Sequence, residues 1–199
     1  MKDEAVTTES LNNLEDMRSK KIIFVCNCLL NSNNKVMERA RYPGIFSDVV
    51  KIIDSFGIGI MQLPCPEMLY SGCQRYWGGK NVFESAGYRK FCRTLAAQVA
   101  DYMENYHMAG YQVVCVLGCD GSPTCGVHFT NHYENGGGRP KAIQRSLLEE
   151  PGIFIEELKR ELEARNLPVP KMDGLGMDIM AKSTDEILAD FKAYIAQVV

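Results

Sequence analysis

The stretch Gln112-Val-Val-Cys-Val-Leu117, followed at once by Gly118-Cys-Asp-Gly-Ser-Pro-Thr-Cys-Gly126, decides how the chain folds. A continuous apolar, partly β-branched run of this length reads as a buried strand, and the glycines and proline after it end the strand and turn the backbone. The same grammar occurs twice upstream. Lys21-Ile-Ile-Phe-Val-Cys26 stops in the polar loop Asn31-Ser-Asn-Asn34, and the run from Ile58 to Leu63 stops at Pro64-Cys65-Pro66, where two prolines forbid a continuing central strand.

Between these runs the apolar period changes. Phe46, Val49, Val50, Ile53 and Phe56 recur at steps of three and four, which predicts an amphipathic helix within Ile45 to Phe56. Tyr88, Phe91, Cys92, Leu95, Val99, Tyr102, Met103 and Tyr106 predict a long helix from Ala86 to Met108, stopped by Gly110. Downstream come a helix over Ile153 to Asn166, a short strand over Val169 to Met172, and a closing helix over Ser183 to Val198 with Ser183 or Thr184 as N-cap. Strands alternating with helices imply a parallel sheet with right-handed crossovers, a Rossmann-like three-layer α/β/α architecture. Ligands in such folds collect at the carboxyl ends of the strands.

At 199 residues and 46% apolar content, one domain is expected. Residues 1–20 are polar and read as an N-terminal arm, leaving residues 21–199 as the α/β domain. Glu134-Asn-Gly-Gly-Gly-Arg-Pro140 reads as a long loop, either a flap or an ordinary solvent loop. The net charge of −3, without a dense Lys/Arg run, argues against a partner as long as a nucleic-acid backbone and favours a small molecule. No apolar run approaches the roughly 20 residues that span a bilayer, and the N-terminus is acidic, so a cytoplasmic location is expected. In a reducing cytosol eight cysteines point to metal binding, thiol chemistry or buried apolar thiols rather than to disulfides.

Position separates these uses. Cys28 lies just past the first strand, Cys65 just past the second, and Cys125 in the turn after the third, so three thiols should meet at one edge of the sheet. Soft thiolates at a shared point suit an iron–sulfur cluster or zinc, and three protein ligands leave one metal position open for chemistry. Zinc could take Glu67 as its fourth ligand. Cys92 and Cys115 fall on apolar faces and read as core. Cys26, two residues before Cys28, is the most credible substitute ligand, while Cys73 and Cys119 lie in nearby loops and could be supporting, redox-labile or incidental. His107, His128 and His132 form no helical zinc pattern, and Arg75, Tyr76 and Trp77 could offer a cation and aromatic faces to a planar ligand.

At these residues the chain resembles the thiouracil desulfidase family. The segments Cys28-Leu-Leu30, Cys65-Pro-Glu67 and Ser122-Pro-Thr-Cys-Gly126 look like that family's three motifs, in the same order, across roughly residues 21–175. The resemblance implies a 4Fe-4S cluster held by Cys28, Cys65 and Cys125, with a fourth iron open to the substrate's sulfur and Glu67 and Ser122 as the catalytic polar pair. The implied reaction is redox-neutral release of hydrogen sulfide from a thiolated nucleobase or similar small heterocycle. Such a cluster would be lost easily in air. A sulfur- or iron-handling protein without turnover, or a structural zinc domain, is the alternative.

The chain departs from the family pattern at two places. Asn31 stands where a glycine is usual, and Asn34-Lys-Val-Met-Glu38 replaces a second cysteine followed by Arg-Tyr-Asp-Gly. After Glu67, Met68-Leu-Tyr-Ser-Gly-Cys-Gln-Arg-Tyr-Trp77 replaces an expected Gly-Gly-Leu and Pro-Arg stretch. These segments are expected to line the substrate pocket, so this looks like a divergent branch. The glycines at 118, 121 and 126 are expected to let backbone N–H groups approach an anionic cluster.

Overall fold

The structure, a computed structural model, describes residues 16–138, 145–176 and 182–199. Most of the predicted N-terminal arm therefore lies outside the described residues, as do Arg139 and Pro140 of the predicted loop. Within the described part, Arg18 ties its own segment to the domain by donating to the Tyr111 hydroxyl at 3.1 Å.

The sheet is all parallel. Strand β1 (Lys21–Cys26) lies between β2 (Gly59–Leu63) and β4 (Gln112–Gly118), and β8 (Lys171–Gly174) pairs with the far side of β4. Ile22 stands opposite Gly59 on one side, and Ile23 opposite Cys115 on the other after a one-residue irregularity. Ile23, Phe24, Val25, Val116 and Leu117 are fully buried because both faces of the central strands are covered. Helix α2 (Ser47–Ser55) packs with α7 (Thr184–Val198), and α5 (Ala86–Met108) packs with α6 (Ile153–Ala164), giving a layer of helices on each side. The expected three-layer architecture is what the chain adopts.

Local chemistry explains the boundaries. The Ser85 side chain accepts from the Tyr88 amide to open α5, and Gly110, at φ +73°, follows the helix end. Ser183 and Glu186 form a reciprocal capping box on α7. The last strand lies two residues later than Val169 to Met172, because Pro168 and Pro170 lack the N–H groups that a ladder with β4 needs.

Several short elements have no clear periodic signature. They are α1 (Asn27–Leu30), α3 (Pro66–Ser71), α4 (Lys80–Phe83) and two antiparallel pairs. Strand β3 (Trp77–Gly78) pairs with β6 (Gly137–Gly138), and β5 (Thr130–Tyr133) pairs with β7 (Arg145–Leu148). The segment read as a loop from Glu134 is thus anchored through β6 to Trp77.

The chain leaves β1 toward β2 on one side and later returns to β4 on the other. The carboxyl ends of β1 and β4 therefore flank the switch point where a crevice must open. No helix of the described residues is long and apolar enough to cross a membrane.

Candidate functional site

A cavity of about 110 Å³ opens at the carboxyl end of the sheet. Cys28 reaches it from α1 just after β1, Cys65 from the loop between β2 and α3, and Cys125 from the turn after β4. Glu67 and Ser122 line the same cavity, so all five residues singled out in the sequence come together. All eight cysteines are unpaired thiols.

Glu67 sits in the first turn of α3, where a carboxylate is favoured by the helix dipole. Its Oε1 accepts from Ser122 Oγ at 3.1 Å and its Oε2 from Arg75 Nε at 3.2 Å. The two charged side chains are 13% and 5% exposed, so this ion pair is shielded from water. Arg75 also donates to the carbonyl oxygens of Gly72 and Asn34. The guanidinium that could have offered its charge to a planar ligand is committed to fixing Glu67 and the backbone around it. Ser122 works in two directions, because its oxygen also accepts from the amides of Thr124 and Cys125 at 3.2 and 3.0 Å. Stabilising the turn and holding Glu67 are one arrangement.

The turn from Gly118 to Phe129 is folded around Asp120. This side chain is inaccessible to solvent. Its Oδ1 accepts from the amides of Val127 and His128 at 2.7 and 3.0 Å, and its Oδ2 lies 2.9 Å from His128 Nδ1. A Cβ on Gly174 would come within 2.1 Å of Asp120 Oδ1, so only glycine lets β8 pass this carboxylate. Gly118 is needed for a similar reason, since a Cβ there would meet the Cys125 carbonyl oxygen at 2.3 Å. The expectation for the turn's amides is corrected in two places. The Gly121 amide donates to the Phe129 carbonyl and the Gly126 amide to the Ser122 carbonyl, so both are spent on the turn itself.

The other thiols separate clearly. Cys92 and Cys115 are fully buried core residues, and Cys73 is exposed and does not line the cavity. Cys26 Sγ lies 3.6 Å from Cys28 Sγ, as expected for a residue pointing to the same side. Cys119 lines the cavity and interacts with the Cys28 thiol. Burial, then the neighbouring Cys65, pushes the Cys125 thiol well above its ordinary value. Burial and then Glu67 push Cys65 up to about 11. At Cys28 the contact with Cys119 favours the thiolate, but Cys26 and burial outweigh it and the net direction is up. Burial and crowding outweigh the nearby Lys35 charge, and the thiols hold their protons.

Two features of the divergent segments meet at the mouth. The Arg39 guanidinium lies 3.6 Å over the Trp77 ring, whose indole N–H donates to the Met37 carbonyl at 2.7 Å. Lys35 enters the cavity, with its Nζ 3.9 Å from Cys119 Sγ and 5.5 Å from the centre of the Tyr42 ring. Tyr76 is 61% exposed and takes no part in the lining. Lys35 lies in a divergent segment expected at the pocket, but sequence pattern gave it no role of its own. Asp120 could have been found, because an Asp among turn glycines commonly accepts backbone amides. His128 enters only as its partner. Among the described residues no group of three His, Cys, Asp or Glu side chains is disposed to hold a metal ion.

Comparison with known proteins agrees with the motif reading. An uncharacterized protein of Methanocaldococcus jannaschii is 29% identical over 157 residues, covering 79% of this chain and 87% of that protein. No solved structure matches the chain. A family model described as "Putative 2-thiouracil desulfurase" matches residues 20–196, and the chain belongs to that family.

Proposed function

We propose that the protein is a desulfidase that hydrolyses the carbon–sulfur bond of a small thiolated heterocycle, with a thiolated nucleobase as the first substrate to test. The observation that carries this reading is the convergence of Cys28, Cys65 and Cys125, from three strand ends, on the cavity that also holds the Glu67–Ser122 pair. In the net reaction a thiocarbonyl and water give a carbonyl and hydrogen sulfide. No electrons are exchanged with an outside donor.

The donor set fits a 4Fe-4S cluster held by Cys28, Cys65 and Cys125. Each thiolate of such a cluster sits on its own iron, so the sulfurs must share a cavity rather than surround a single ion. The upward pressure on the Cys65 and Cys125 thiols has burial as its first cause, and a cation arriving among them would reverse it. When bound, the group supplies a Lewis-acidic iron toward the substrate's sulfur.

The protein's own residues supply the rest. Glu67 accepts a proton from the attacking water. Arg75 fixes the direction of that carboxylate, and Ser122 couples it to the turn carrying Cys125, so base and ligand keep one geometry. Trp77, on the cavity wall, offers an aromatic face to a planar ring. Reduced thiols suit a cytoplasmic setting.

The test is anaerobic reconstitution with iron and sulfide, followed by a screen of thiolated bases for sulfide release. A brown protein with labile sulfide and turnover is expected. A colourless protein with stoichiometric zinc, or a Cys65→Ala variant that binds as much iron as wild type, would overturn the reading.

A further inference from the structure

Three cations line the cavity: Arg75 is held by Glu67, Arg39 lies over the Trp77 ring, and Lys35 stands beside the thiols. Its ammonium enters a space lined by Cys28 and Cys119, and its nearest polar contact is the Cys119 sulfur at 3.9 Å. Among the described residues no carboxylate forms an ion pair with it; its other contact is the face of the Tyr42 ring. Arg75 is by contrast paired with Glu67 at 3.2 Å. The Lys35 ammonium thus meets sulfur and a ring face, and an anion entering the cavity would pair with it more strongly than either.

We infer that the Lys35 ammonium is the counter-ion for hydrosulfide released in this cavity. The inference rests on the desulfidase reading. There, the thiocarbonyl carbon gains the oxygen of water and loses its sulfur. The bond's electron pair leaves with that sulfur as hydrosulfide, which carries one of the water's protons, and the other proton passes to Glu67. Negative charge therefore accumulates where three thiolates already repel it. Glu67 cannot oppose that charge, and Arg75, even once Glu67 is protonated, stays held beside it by the Gly72 and Asn34 carbonyls. Lys35 is placed to do so, on the Cys28 and Cys119 side of the cavity.

The test uses the reconstituted protein titrated anaerobically with sodium hydrosulfide and followed by absorption, with the midpoint potential of the cluster measured in parallel. Lys35→Met should weaken hydrosulfide binding about tenfold, the effect of losing about 1.4 kcal/mol of charge pairing. The same variant should shift the potential downward, because removing a nearby positive charge disfavours the reduced, more negative state. Lys35→Arg should restore both. Where Lys35→Met loads poorly, Lys35→Gln replaces it in the same comparison with Lys35→Arg. Unchanged hydrosulfide affinity and potential in the loaded neutral variant would overturn the inference alone. A raised KM for a neutral thiolated base with unchanged hydrosulfide affinity would also overturn it, by assigning Lys35 to substrate binding. If wild-type protein takes up no iron and labile sulfide, the desulfidase reading fails and this inference falls with it.

Discussion

Replacing Asp120 with alanine tests how the loop bearing Cys125 is held. The wild-type carboxylate is inaccessible to solvent and accepts from the Val127 and His128 amides at 2.7 and 3.0 Å. Val127 is buried, so its orphaned N–H would cost about 1–3 kcal/mol. His128 has a half-exposed side chain and can recover water, which limits its share to about 1 kcal/mol. The expected loss is about 2–4 kcal/mol, measured by urea unfolding of the cluster-free protein with an unchanged denaturant slope. Asp120→Asn keeps a carbonyl oxygen for the two amides and should cost less than half as much. Native Asp120→Ala should also let an alkylating reagent reach Cys125 faster, because the turn that buries it is looser. Gly174→Ala should act in the same direction by pressing a Cβ on Asp120 Oδ1. The two changes together should then be less than additive. A loss below about 0.5 kcal/mol in Asp120→Ala, with Cys125 as slow to react as in wild type, would refute this account of the turn.

Further outcomes test other parts of the molecule. Glu67→Gln should keep the brown colour and iron content but lose at least about 100-fold in sulfide release, the scale of a missing general base; full activity would remove Glu67 from the chemistry. Trp77 is the chain's single tryptophan and lines the cavity, so a thiolated base should change its emission on binding, and a Trp77→Phe variant should lose that signal. The cluster-free protein should lose stability as pH rises. Cys65 ionises near 9 in the unfolded chain and only at about 11 in the fold. The protonated native thiol is therefore favoured fully below pH 9, and that advantage disappears as the pH climbs toward 11, by about 3 kcal/mol for this one group. Denaturant midpoints that stay flat across that range would contradict the burial argument. Ser183→Ala should cost about 1 kcal/mol by removing the capping box of α7, measured by thermal unfolding.

The parallel sheet was legible because its strands are apolar on both faces. Lys21 to Cys26 and Gln112 to Leu117 have no other reading once helices of clear 3.6-residue period separate them. The long helix from Ala86 to Met108 was equally plain, since eight apolar positions define one stripe and Gly110 ends it. The short pairs β3–β6 and β5–β7 were not, because strands of two to four residues carry too little alternation to reveal a partner more than a dozen residues away. The same limit misplaced β8, where two prolines displaced the pairing toward Asp173 and Gly174.

The sequence by itself determined that Cys28, Cys65 and Cys125 follow three strands, and parallel strands carry whatever follows them to one end of the sheet. That end became a single cavity with Glu67 and Ser122 in its wall. Only the tertiary structure decided the charges around those thiols. Arg75 is committed to Glu67, Asp120 is enclosed by backbone amides, and Lys35 is left facing sulfur. Strand periodicity specifies which end of a sheet a residue reaches. Charge pairing depends on side-chain directions in loops that pack only once distant segments meet.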